Sequence, residues 1–175
     1  MEDRTISKNH FGLLLALAIL NILVIVVMQS FAPALRPFSI IGFEFAGTPE
    51  QALLMVNTWK QNGVLDSVYF LIGFDYLFMI TYTSFLWLVC MRAAIGTRGK
   101  WTKAITVLAW LQPVAGLLDA IENLSLYQMV TGSLKPLWPM LSVICAVPKF
   151  AIALAGLAVL LVSSIQFMKW GKITP

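Results

Sequence analysis

The sequence predicts an all-α integral membrane protein, a four-helix bundle with a short amphipathic helix in its first extramembrane loop. Two observations carry this. Of the 175 residues, 59% are hydrophobic and only 11% charged, where a soluble domain carries about 25% charged residues. The apolar residues also come in four long blocks, each longer than the ~20 residues a helix needs to cross about 30 Å of hydrocarbon. None of the blocks alternates strictly, which argues against a β-barrel.

The first span is 11–31, interrupted midway by Asn21. Its apolar run is too long for a typical signal peptide, and Glu2 and Asp3 make a poor basic leader, so it reads as a retained helix. The outer loop, 32–65, opens with Pro33 and Pro37 and continues as an alternating, extended stretch from Ser39 to Gly47. Thr48-Pro49-Glu50-Gln51 then has the form of a capping box with proline at the first helical position. The helix it starts carries Leu53, Val56 and Trp59 and stops at Gly63; it lies on the membrane face or packs on the bundle. The second span, 68–91, holds Asp75 and Tyr82. The third, 104–130, holds Gln112, Pro113, Asp119, Glu122 and Asn123. The fourth, 141–167, holds Cys145, Pro148 and Lys149. Trp59, Trp101, Trp138 and Trp170 fall at predicted span ends, as an interfacial aromatic belt would.

Charge gives topology. Arg4, Lys8, Arg92, Arg98, Lys100, Lys103, Lys169 and Lys172 fall on one side of an alternating four-span chain, against Arg36, Lys60 and Lys135 on the other. The positive-inside rule places both termini in the cytoplasm. The net charge of +4 is therefore topological, and no nucleic-acid partner is expected. His10 is the only histidine and lies in the tail, so neither an intrahelical haem nor a zinc site is available. Without a Cys-x-x-Cys pair, thiol–disulfide chemistry is disfavoured; Cys90 and Cys145 lie at opposite depths and should not pair. No cofactor or metal is implied.

The informative residues are the ionisable ones inside the spans: Asp75, Asp119, Glu122 and Lys149. A charge in hydrocarbon costs several kcal/mol unless it is paired, hydrated or functional. With about 1.5 Å of rise per residue, Asp75, Asp119, Glu122, Lys149 and Asn21 all fall about 10–16 Å below the outer span ends, in one slab. Faces agree with depth. Gln112, Gly116, Asp119 and Asn123 form one stripe bordered by Glu122; Cys145, Lys149 and Gly156 form another; Asp75 and Tyr82 share a third. Polar stripes turn away from lipid. Three carboxylates and one amine sum to −2, which a low-dielectric site does not hold. Some acids must carry protons, or a cation must bind.

Asp75, Asp119, Glu122, Asn123, Lys149, Tyr82 and Asn21 thus outline a candidate ligand pocket in the outer half of the bilayer. It suits a lipid-like or amphipathic molecule with a cationic group. Other readings use the same residues. They could form a packing-only ion pair in a subunit of a larger complex, a proton- or cation-coupled transporter, or a lipid-modifying enzyme. The enzyme reading lacks a nucleophile paired with a base. A homodimer is allowed by the Ala151-x-x-x-Ala155 spacing.

Three phrases, Phe43-Glu-Phe-Ala-Gly-Thr48, Phe74-Asp-Tyr-Leu-Phe78 and Leu117-Leu-Asp-Ala-Ile-Glu-Asn123, resemble those of small bacterial four-helix membrane proteins. The resemblance implies the architecture and a bacterial inner membrane, and no activity. At the level of fold alone the chain is also similar to the EXPERA group, which includes sterol isomerases and the sigma-2 receptor: four helices, cytoplasmic termini, a sizeable first outer loop and acids facing a membrane pocket. The isomerases' histidine has no counterpart in this bundle.

Overall fold

The computed structural model describes residues 2–133 and 135–170, with side chains from 12 to 133 and from 135 to 165. Among the described residues six α-helices follow one another: α1 (Glu2–Phe31), α2 (Ile40–Glu44), α3 (Pro49–Gln61), α4 (Leu65–Ile95), α5 (Lys100–Val130) and α6 (Leu137–Trp170), with a 3-10 turn at Ala32–Leu35. Four of them contain segments long and apolar enough to cross a membrane, Gly12–Leu35, Leu65–Ile95, Lys100–Val130 and Leu137–Ile165. Helix is the form such segments must take, because in hydrocarbon each backbone N–H and C=O has to be satisfied within the chain. Their outward faces are what lipid requires: Ile22 is 61% exposed and Leu154 63%.

Helices α4, α5 and α6 pack against one another, whereas α1 packs extensively only on α4. Close approach of α5 and α6 depends on Gly156, where a Cβ would stand 2.9 Å from Gln112 Nε2. That amide is fully buried and reaches across to the Ile152 carbonyl at 3.3 Å, the kind of interhelical hydrogen bond that holds packed spans.

The segment between α1 and α4 forms a cap on one end of the bundle, here the capped end. Thr48 begins α3 as the sequence predicts: its hydroxyl accepts from the Gln51 amide at 3.3 Å, with Pro49 at the first position. Gly63 ends it with φ +68, a conformation that costs a residue with a Cβ about a kcal/mol or more. The stretch before Gly47 is not extended. Ser39 accepts from the Gly42 amide at 3.0 Å and starts the short helix α2. An extended chain would send Phe43 and Glu44 to opposite sides, whereas on a helical turn both enter the interior, and both are buried.

One tryptophan departs from the expected belt. Trp59 is fully buried, its indole donating to the Leu35 carbonyl at 2.8 Å and its ring meeting Phe43 edge-on at 5.1 Å. Ala52, Met55, Val56, Leu71, Ile72, Leu126 and Met129 complete this core, so α3 is packed on the bundle rather than laid on a lipid surface. Trp101 is exposed and Trp138 half-buried. The side chains of Trp170, Arg4, Lys8, His10, Lys169 and Lys172 lie outside the described ones.

Candidate functional site

Lys149, on α6 one turn beyond the buried Cys145, is the centre of the polar cluster. Its ammonium donates to Asp119 Oδ1 at 2.9 Å and to Glu122 Oε1 at 2.9 Å, and lies equally close to Glu122 Oε2. Asp119 and Glu122 are one turn apart on α5, so one amine meets both. The second oxygen of Asp119 accepts from the Tyr82 hydroxyl of α4 at 3.0 Å. Asp119, Glu122 and Lys149 are all buried.

A fourth carboxylate, which the span-by-span reading leaves out, comes from the cap. Glu44 Oε2 stands 3.5 Å from the Lys149 ammonium, and Glu44 is 7% exposed. Two further contacts fasten it over the cluster. The Ser142 hydroxyl donates to the Glu44 carbonyl at 2.9 Å, and Phe45 stacks on Phe150 with centroids 5.9 Å apart. The element over the cluster is therefore α2, not α3. Its signal was an acid inside the apolar run Ile40–Ala46, the same signal that marks Asp75.

Asp75 and Asn123 form the margin of the site. The Asn123 amide donates to Asp75 Oδ2 at 2.6 Å, so Asn123 orients Asp75 rather than Asp119. Asp75 makes no ion pair with Lys149 and is only partly buried, whereas the other three acids are buried. Asn21 is not part of the cluster. It accepts from the Thr81 hydroxyl at 3.0 Å and donates to the Leu17 carbonyl. Thr81 neighbours Tyr82 on α4 but faces α1, so Asn21 matches the acids in depth and not in direction. Cys90 and Cys145 are both buried and free, as their depths predict.

Glu44, Asp75, Asp119 and Glu122 against Lys149 leave a formal −3, one more negative charge than the spans alone suggest. Glu44 Oε2 and Glu122 Oε2 are buried and face the Lys149 ammonium at 3.5 and 2.9 Å without a well-directed hydrogen bond. One amine cannot offset four carboxylates in a low-dielectric site, so protons or a cation must balance it.

Burial pushes the Glu44 carboxyl above its ordinary range, more strongly than the Lys149 charge draws it down. The folded state then holds this proton more tightly than the unfolded chain. Its contribution to stability is complete below the ordinary carboxylate range and falls as pH rises through the raised value. In thermal unfolding between pH 4 and about 8, Glu44→Gln should remove this part of the decline. An unchanged pH slope would show that Glu44 does not carry it.

These features define a class: a four-span membrane protein with a buried lysine–carboxylate cluster latched from an extramembrane cap. Compared with protein-family models, curated proteins and solved structures, the chain matches none.

Proposed function

We propose that the protein binds a cationic amphipathic, lipid-like molecule at the capped end, with Asp75 as the first contact for the positive group. The observation that carries this reading is the surplus of acid. Lys149 is engaged by Asp119, Glu122 and Glu44, which leaves Asp75 outside ion-pair distance, partly exposed and held by one amide. A carboxylate at that depth attracts a cation strongly, because little water competes for it. Tyr82 and Asn123 fix the neighbouring acids, and Lys149 tunes the charge the ligand meets. In this reading the base-rich termini and the 92–103 connection face the cytoplasm. The capped end faces outward, in a bacterial inner membrane.

A second reading rests on the contacts of Lys149 itself. Three carboxylates around one buried amine can serve only to lock cap, α5 and α6 together. Dodecylamine and dodecanol separate the two readings. A ligand that binds the folded state raises its unfolding temperature. Under the binding reading, dodecylamine stabilises the wild type and dodecanol does not. Asp75→Asn should weaken the amine about tenfold, the size of a lost charge-assisted hydrogen bond, while the unliganded protein melts as before. Equal response to both probes, or an amine effect that survives Asp75→Asn, would leave the lock as the function of the cluster.

A further inference from the structure

A second site lies toward the other end of the bundle. Because α1 packs on α4 and barely on α5, a wedge of about 510 Å³ opens between α1 and α5, with α4 as its floor. Leu13 and Leu17 form one wall, Trp110 and Pro113 the other, and Ser84 and Trp87 line the floor. The volume is that of a small-molecule site, and none of the described side chains that line it is ionisable.

Two polar features interrupt this apolar lining. The Trp87 indole N–H is buried without a hydrogen-bond partner, and a buried indole N–H normally finds one. Ser84 offers an exposed hydroxyl one turn away. Trp87 and Trp110 meet edge-on at 6.0 Å and give the wedge two flat aromatic surfaces.

Depth suits a lipid head. Helix α4 has 31 residues, about 46 Å, against about 30 Å of hydrocarbon, which leaves about 8 Å beyond the core at each end. Trp87 is eight residues from the Ile95 end, about 12 Å in, and so about 4 Å below the hydrocarbon edge. Water in a mostly apolar wedge would find few partners. A group that both donates and accepts, carries no charge and rides on a hydrocarbon body meets every feature of the lining.

We infer that this wedge is a binding site for a neutral amphipathic lipid with a hydroxyl head, its chain between α1 and α5 and its hydroxyl at Ser84 beside Trp87. The site is separate from the acid cluster and does not depend on that cluster's function.

The test uses the whole protein in phosphatidylcholine nanodiscs, with tryptophan fluorescence as the readout and dibromostearoyl-glycerol as the probe. Bromine quenches tryptophan on contact, and Trp87 and Trp110 are in the wall. The glycerol lipid should quench with a saturable phase that brominated phosphatidylcholine lacks. Ser84→Ala should weaken that phase about fivefold, the worth of one hydrogen bond. Leu17→Phe, which fills the wedge, should abolish it at unchanged melting temperature. Unsaturable quenching equal for the two lipids would mean boundary lipid only and overturn the inference. So would a saturable phase that both variants leave intact.

Discussion

Replacing Lys149 with methionine is expected to cost about 3–5 kcal/mol of stability, the range found when one partner of a buried ion pair is removed. Methionine fits the space of the lysine stem, so the loss is electrostatic rather than steric. Asp119 Oδ1, both Glu122 oxygens and Glu44 Oε2 would all lose the ammonium that faces them. Thermal unfolding in mild detergent reads the effect. Adding Asp119→Asn and Glu122→Gln to Lys149→Met should recover much of the loss, because neutral amides of the same shape need no counter-charge. A Lys149→Met protein as stable as the wild type would mean that these acids are already neutral without the lysine.

Trp59→Ala should have the second large effect, about 3–5 kcal/mol for emptying a fully buried aromatic site, and its location distinguishes it from the first. The ring joins the Leu35 carbonyl, Phe43 and Phe38 to a core reaching Leu126 and Met129. The long helices are satisfied within themselves. The expected result is therefore a loosened cap over an intact bundle: faster proteolysis within residues 36–64 with little change in helical circular dichroism. Trp59→Phe keeps most of the volume and leaves only the Leu35 carbonyl unpaired, a cost of about 1–3 kcal/mol. A cap that stays protease-resistant in Trp59→Ala would show that Glu44 and Ser142 hold it without the plug.

How far the sequence could be read follows from which dimension each argument used. Spacing at 3.6 residues per turn fixes direction on one helix. The Gln112–Gly116–Asp119–Asn123 stripe and the Cys145–Lys149–Gly156 stripe are accordingly buried as predicted. Rise per residue fixes depth, and it placed the acids and Lys149 in one slab. Neither says which helix stands beside which. Asn21 shares the slab, yet α1 lies across α4 from the cluster, and Thr81 is its partner instead. Depth arguments likewise exclude anything outside the spans, which is why Glu44 was not placed with the cluster. Phe43 and Glu44 read as an alternating strand until Ser39 is recognised as a helix cap. Trp59 follows the same logic: a tryptophan near a span end suits an interface, and only the folded cap above it makes that position an interior.

The latch between Glu44 and α6 joins parts of the chain made at very different times. The Ser142 hydroxyl and the Lys149 ammonium, 98 and 105 residues after Glu44, belong to a helix that leaves the ribosome long after it. Until that helix enters the bilayer, the carboxylates of Glu44, Asp119 and Glu122 have no amine among them. The loop after α1 therefore reaches its final state only when α6 arrives, so its closure waits on the insertion of a span made two long helices later.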